Sequence, residues 1–176
     1  GKVDDGSSVL DFEPEEIKRK ITISSAFHHY QWKKYTVYLA DTPGDDNFLA
    51  DTRAALHVAD GAVVVVDAVD GVKVGTEKVW DTANRYNLPR LVFINKMDRE
   101  RADFHQALKE VREVLEVQAV PILLPIGREA GFKGVVDLIV QKAYTAAAGG
   151  GKLEAVPIPD DLKDEVEGLR GDLLNF

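Results

Sequence analysis

Two apolar runs in this sequence each end abruptly in a short polar cluster, and this pattern constrains the fold strongly. The first is YTVYLADTPG at residues 35–44, and the second is LVFINKMD at residues 91–98. Between them the sequence predicts a helix over 47–59, a strand over 61–67 and a helix over 76–86. This alternation predicts an α/β fold with a mostly parallel sheet flanked by helices. Ligands of such sheets bind at the carboxyl ends of the strands.

The first polar cluster, Asp41-Thr42-Pro43-Gly44, has the composition of a phosphate and metal site. A carboxylate such as Asp41 at the end of a strand can hold Mg²⁺, usually through water. Gly44 has no Cβ atom, so its N–H group can come close to a terminal phosphate. The D-x-x-G pattern is common, however, and needs a second motif to support it.

That second motif is Asn95-Lys96-Met97-Asp98. Guanine presents two adjacent donors, N1–H and N2–H₂, and the carboxylate of Asp98 can accept from both. Adenine offers no such pair, so this aspartate would select the base. Asn95 can support the loop, and the apolar stem of Lys96 can lie along the ring face. Two such motifs in order, each at a strand end, predict a guanine-nucleotide site.

The remaining pattern predicts further elements. Residues 1–16 are expected to form a loop, and residues 23–30 and 35–40 an antiparallel hairpin. The run GAVVVVD at 61–67 is apolar enough to predict a strand buried on both faces. Further expectations are a one-sided helix over 101–116, a strand over 117–125, a flexible break over 144–152 and a last helix that follows Pro159.

Composition disfavours several classes of protein. A net charge of −8 argues against non-specific binding to nucleic acid or to anionic membranes, and we expect no sequence-specific nucleic-acid binding. Zero cysteines exclude disulfides and cysteine metal sites and suit a cytoplasmic protein. The apolar runs are far shorter than a membrane span, and the opening residues GKVDD do not resemble a signal peptide, so no membrane partner is expected.

The order of several motifs resembles the G domain of the elongation factor G family. They are K-R-K-I-T-I-S-S-A, D-T-P-G, D-G-A-V-V-V-V-D-A-V-D-G-V, N-K-M-D-R, L-P-I-G and F-K-G-V-V-D-L-I. The resemblance is close through residue 144 and looser beyond it. It implies a P-loop NTPase-like fold, GTP and Mg²⁺ as cofactors, GTP hydrolysis and the ribosome as partner. It also implies that residues 1–130 are the central part of the G domain and that 131–176 begin an inserted subdomain.

The same resemblance implies roles for individual residues. Thr22, which strand propensity alone also explains, would be the switch I ligand of Mg²⁺, together with Asp41. Residues 41–44 would begin switch II, and residues 95–98 would bind GTP through the guanine base. Asp45 stands where the family has its catalytic histidine, so the role of this carboxylate in catalysis is doubtful. Lys20 stands where glycine is usual.

The sequence also departs from the family pattern by lacking two motifs. It has no G-x-x-x-x-G-K-[ST] sequence and no Ser-Ala turn of the last guanine-binding motif. The resemblance therefore implies a G-domain fragment. We expect this fragment to bind GTP weakly, to hydrolyse none measurably and to expose apolar edges in the middle of its sheet, because most phosphate affinity in this fold comes from the P-loop.

Three hypotheses follow. The first is a ribosome-associated GTPase. The second is a GTP-dependent binding switch with little or no hydrolysis, because Asp45 would be repelled by a γ-phosphate. The third is an α/β interaction domain that binds no nucleotide, since a fold alone does not fix function. Guanine-nucleotide preference separates the third from the others, and turnover separates the first from the second.

Overall fold

The computed structural model describes residues 6–146 and 153–176. Most of the predicted break at 144–152 therefore lies outside the described residues. The chain divides into two compact units. The first consists of Gly1–Val64 with Lys73–Val92, and the second of Val65–Val72 with Phe93–Phe176.

The first helix, α1 (Pro14–Arg19), begins inside the segment predicted as a loop. The prediction is wrong for residues 14–16. Pro14 occupies the first helical turn, where a missing N–H group is no loss, and the acidic side chains of Glu15 and Glu16 lie in the same turn. The helix ends at Lys20, whose φ of 57° is left-handed.

Strands β1 (Ala26–Trp32) and β2 (Tyr35–Asp41) form the predicted antiparallel hairpin. Trp32 pairs with Tyr35, so Lys33 and Lys34 alone make the turn. Lys33 takes a φ of 52°, as tight hairpin turns require. At the open end of the hairpin β2 ends at Asp41, which confirms the predicted end of this strand.

The two predicted helices that follow are confirmed. A short 3-10 helix (Asp46–Phe48) leads into α2 (Leu49–Val58), and α3 spans Val74–Arg85. Leu56 of α2 and Ala83 of α3 form a buried cluster with Leu88. Both helices turn an apolar stripe toward this cluster, which is the usual way in which an amphipathic helix is stabilised.

Strands β3 (Ala62–Asp67) and β4 (Arg90–Asn95) pair with each other. The N–H groups of Ala62 and Ala68 donate to the carbonyl oxygens of Pro89 and Asn95, so the two strands run in the same direction. Among the described strands, parallel pairing joins β3 to β4, and the other pairings for which a register is known are antiparallel.

The prediction that residues 61–67 are buried on both faces is wrong. Val64 and Val66 are buried, but Val63 and Val65 are 62% and 58% exposed. Successive side chains of a strand point to opposite faces, and the described residues cover one of these faces. The other face of β3 is therefore an exposed apolar surface.

The second unit combines helices with an antiparallel sheet. Its elements are α4 (Phe104–Val114), β5 (Leu123–Ile126), β6 (Gly134–Asp137), β7 (Lys142–Ala146), β8 (Leu153–Val156) and α5 (Lys163–Leu174). The sheet order is β5-β6-β7-β8. Both predicted helices of this unit are confirmed. The predicted strand at 117–125 begins only at Leu123, and residues 144–146 belong to β7 rather than to a break.

The core of this unit lies between its sheet and α5. Leu124, Val136, Leu138 and Ala143 are buried there against Val166 of α5. Within the part of the chain that the structure describes, no helix has the length and apolarity that crossing a membrane would require.

Replacing Lys20 with glycine should stabilise the chain by about 0.5–1 kcal/mol. The Cβ atom of a left-handed residue meets a steric cost that glycine avoids. Urea unfolding at neutral pH measures the change. Lys18→Gly is the matched control, since it removes the same charge inside α1 at an exposed position, where glycine should destabilise. A loss of stability in Lys20→Gly would contradict the expectation.

Candidate nucleotide site

The loop of residues 41–44 is anchored before it reaches its glycine. Pro43 is fully buried, and its ring restricts the backbone. The Oγ1 atom of Thr52, on α2, donates a 2.7 Å hydrogen bond to the carbonyl oxygen of Pro43. The loop backbone therefore has a defined path from Asp41 to the exposed Gly44.

The space beside Gly44 is open. A Cβ atom built at this position would meet no heavy atom of the described chain within 4 Å. Packing within the described residues therefore gives no reason for glycine here. Open space at the Cβ position suits the close approach of a ligand to the backbone, which is the role that the sequence predicts for Gly44.

The carboxylate of Asp45 is engaged within the chain. Its Oδ1 atom accepts a 2.9 Å hydrogen bond from the N–H group of Asn47 and a 2.8 Å bond from the Asn47 side chain. This is the N-cap contact of the 3-10 helix Asp46–Phe48. A structural role thus accounts for a carboxylate at the position where the resemblance implies a histidine.

Asp41 is a carboxylate in an unfavourable environment. Burial raises the pKa of Asp41, and the nearby charges of Asp11 and Glu16 raise it further, while the N–H group of Thr42 opposes the shift. Ionisation of a carboxyl group with a raised pKa opposes folding. A cation beside Asp41 would relieve this repulsion.

Thr22 is also near acidic side chains. Its Oγ1 atom donates a 3.2 Å hydrogen bond to Oδ1 of Asp11, which is buried. In this arrangement the Thr22 hydroxyl hydrogen points to a carboxylate. The lone pairs of the hydroxyl oxygen remain available to a metal ion.

Asp41 and Thr22 suit a Mg²⁺ ion that is also bound by phosphate, but not a Mg²⁺ ion held by the protein alone. The described residues contain no cluster of three or more His, Asp or Glu side chains suited to a metal ion. Mg²⁺ in phosphate sites typically takes one or two protein oxygens and completes its octahedron with phosphate and water. Asp41 supplies one such oxygen, so the donor set suits a phosphate-bound Mg²⁺ better than an isolated ion.

The cluster of residues 95–98 forms a tight turn after β4. The Asn95 side-chain oxygen accepts a 2.8 Å hydrogen bond from the N–H group of Lys96, whose φ of 62° is left-handed. The N–H group of Arg99 donates to the carbonyl oxygen of Lys96. Met97 is buried against Ala68, so the turn is fixed on its inner side.

Asp67, at the end of β3, organises the same turn. Its Oδ2 atom lies 2.8 Å from Nζ of Lys96 and 3.6 Å from Arg99. Its Oδ1 atom accepts hydrogen bonds from the N–H groups of Val69 and Asp70. Burial alone would raise the pKa of Asp67, but the Lys96 hydrogen bond and these N–H groups lower it to about 2.

Asp67 is not among the site residues predicted from the sequence. It ends the run GAVVVVD just as Asp41 and Asn95 end their runs, so the strand-end pattern could have identified it. By contrast, no pattern around Asp11 indicates its contact with Thr22, because the two residues are brought together only by the path of the loop.

Asp98 differs from its neighbours in having a free carboxylate. It is exposed, and within the described residues no hydrogen-bond or ion-pair partner of its side chain is found. Both oxygens can therefore accept from a ligand. A planar pair of donors, such as guanine N1–H and N2–H₂, matches this carboxylate.

The fold and these two loops define a G domain, the GTP-binding module of translational GTPases. The family model described as the elongation factor Tu GTP binding domain matches residues 1–165, and the chain belongs to this family. The predicted α/β G-domain fold is thereby confirmed, and the hypothesis of an unrelated interaction domain is wrong.

Individual relatives agree with this assignment. The chain is 44% identical over 175 residues to "Elongation factor G" of Mycoplasma pneumoniae and of Thermotoga neapolitana, matching 99% of this chain and 25% of each relative. A crystal structure of a Thermus thermophilus protein superposes with a TM-score of 0.91 at 31% identity, covering 99% of this chain and 26% of that one. The chain thus spans about a quarter of the length of these relatives.

Replacing Asp67 with asparagine should lower the free energy of unfolding by about 1 kcal/mol at pH 7, because the lost ion pair with Lys96 is partly screened by solvent. With its folded pKa lowered from 3.8 to about 2, the contribution is present above pH 3.8 and is lost as the pH falls through about 2. Urea unfolding of both proteins across this range measures it. Asp81→Asn, exposed on α3, is the control and should change little. An equal effect of both variants would contradict the role of Asp67.

Proposed function

We propose that this chain is the guanine-nucleotide-binding part of a translation factor that hydrolyses GTP on the ribosome in the cytoplasm. The observation that carries the proposal is the free, exposed carboxylate of Asp98 on the turn after β4. The family match and the "Elongation factor G" relatives support the ribosomal context. In this proposal residues 1–130 are the central part of the G domain and 131–176 begin an inserted subdomain.

The base would be held by the turn at residues 95–98. Asp98 accepts from guanine N1–H and N2–H₂, and the Asn95 side chain keeps the turn closed through the Lys96 N–H group. The ion pair with Asp67 holds the far end of Lys96, so the stem of this lysine is in place to cover the ring. Met97, which is buried, contributes as a packing residue of the turn.

The phosphates would be met by the residues after β2. Asp41 holds Mg²⁺, usually through water, and the N–H group of Gly44 binds the terminal phosphate. The Thr22 hydroxyl is a further Mg²⁺ ligand through an oxygen lone pair, while its hydrogen is donated to Asp11. When bound, Mg²⁺ neutralises charge on the β- and γ-phosphate oxygens. Thr42 and Pro43 fix the path of the loop.

A second candidate function is a GTP-dependent switch that hydrolyses GTP slowly or not at all. The observation that favours it is Asp45, whose carboxylate is held as a helix N-cap by Asn47. A carboxylate beside a γ-phosphate adds repulsion and cannot orient an attacking water as the family's histidine would. Loss of such a group alone costs a factor of roughly 10² or more in rate.

Replacing Asp98 with asparagine in the full-length protein should weaken GTP binding by roughly 10²-fold, because one hydrogen bond to guanine loses its charge and the other is replaced by an NH₂ group that faces a guanine donor. ATP binding, already weak, should not change. Competition titrations with GTP, GDP and ATP measure this preference. Glu100→Gln is the matched control, since it removes a nearby exposed charge. Equal affinity of the native protein for ATP and GTP would refute the proposed function.

Replacing Asp45 with histidine should raise ribosome-stimulated GTP turnover by up to roughly 10²-fold if Asp45 limits hydrolysis. Asp45→Asn is the control, because asparagine keeps the N-cap acceptor but removes the charge. A gain in both variants would assign the defect to charge repulsion, and a gain in the histidine variant alone would assign it to the missing imidazole. No gain in either variant would show that Asp45 is not the cause of slow hydrolysis.

A further inference from the structure

The Glu16 side chain is fully buried, and none of the roles described above uses it. Its Oε2 atom accepts hydrogen bonds from the N–H groups of Phe12 at 3.1 Å and Glu13 at 2.9 Å. Its Oε1 atom accepts from the N–H groups of Ile23 at 2.8 Å and Ser24 at 3.0 Å. One carboxylate thus joins the chain before α1 to the chain after it.

Burial of a carboxylate is costly unless its acceptor positions are filled. An ionised carboxylate offers about four such positions, and here four backbone N–H groups fill them. Burial alone raises the pKa of Glu16, but these bonds together hold it below its ordinary value of 4.5. Glu16 is therefore charged at neutral pH and serves only as an acceptor.

The loop fixed by Glu16 carries Thr22. Ile23, which directly follows Thr22, donates the shortest of the four hydrogen bonds. A second contact reinforces the same closure, because Oγ of Ser24 donates a 2.9 Å hydrogen bond to Glu13. The backbone on one side of Thr22 is thus held by α1, and its side chain is held by Asp11.

We propose that Glu16 is the positioning residue of the loop that carries Thr22. By holding the backbone of Ile23 and Ser24, it sets where the Thr22 hydroxyl lies and so determines how well the domain distinguishes GTP from GDP. Glu16 itself touches neither nucleotide nor metal. The inference rests on the proposed function, in which Thr22 binds Mg²⁺ only with a γ-phosphate present.

The first experiment measures amide hydrogen exchange in the chain as it stands. Glu16→Gln replaces one acceptor oxygen by an NH₂ group, so two of the four amides should exchange roughly tenfold faster or more. Glu15→Gln is the matched control, since it removes the same charge from an exposed side chain of α1 that pairs with Arg19. Unchanged exchange at all four amides in Glu16→Gln would overturn the proposal.

The second experiment compares a non-hydrolysable GTP analogue with GDP in the full-length protein at saturating Mg²⁺. Glu16→Gln should weaken binding of the analogue roughly tenfold and leave GDP affinity within about twofold, because Thr22 acts only with the γ-phosphate. A merely structural role would weaken both nucleotides alike, and that result would overturn the proposal. Failure of the native protein to bind either nucleotide would overturn the proposed function instead, and the exchange data alone would then decide whether Glu16 fixes the loop.

The native chain provides a test that needs no variant, should Glu16→Gln fail to fold. Amides that share one carboxylate should open together, so Phe12, Glu13, Ile23 and Ser24 should show opening free energies that agree within the error of the measurement. If the Phe12 and Glu13 amides differed in protection from the Ile23 and Ser24 amides by more than about tenfold, the two segments would open independently. That result would overturn the proposal.

Discussion

Strands β2, β3 and β4 each end on a polar side chain, and ligands of parallel sheets bind at such strand ends. Asp41 ends β2, Asp67 ends β3 and Asn95 ends β4. A polar group at the edge of an apolar layer must find a partner or remain in water. Asn95 finds the N–H group of Lys96, and Asp67 finds the Nζ atom of the same lysine. Asp41 has no cation of this kind among the described residues and faces other carboxylates instead.

Asp41 and Asp67 show how the environment separates two identical side chains. Burial acts in the same direction on both, yet the pKa of Asp67 is lowered to about 2 and that of Asp41 is raised. The difference lies in the neighbours, because Lys96 faces Asp67 whereas Asp11 faces Asp41. Asp67 already has partners within the chain, since it pairs with Lys96 and accepts from the N–H groups of Val69 and Asp70. The raised pKa of Asp41 and its acidic neighbours are consistent with the proposal that this carboxylate holds an external cation.

The elements of the fold were largely predictable, because the hairpin, the helices α2 to α4 and the parallel pair β3–β4 follow from local periodicity and turn residues. The exposure of Val63 and Val65 could not be predicted, because an apolar run indicates a preference for burial but not the presence of a covering element. The residues of the candidate site also differ in whether the sequence alone could identify them. Residues that would touch the ligand, such as Asp98, stand in recognisable motifs at strand ends. Residues that hold the loops, such as Glu16 and Asp11, are recognised only in three dimensions, because they contact residues up to 11 positions away.

Asp45 illustrates a conflict between local structure and catalysis. As an N-cap it accepts two hydrogen bonds from Asn47 and favours the start of the 3-10 helix, an effect worth about 1 kcal/mol at a typical cap. The same negative charge, placed next to the glycine expected to bind a terminal phosphate, opposes the charge that develops in phosphoryl transfer. Local stability therefore favours Asp45, whereas hydrolysis favours a neutral or cationic group. Because asparagine can also serve as an N-cap, the cap contact needs the acceptor oxygen at position 45 and not its charge.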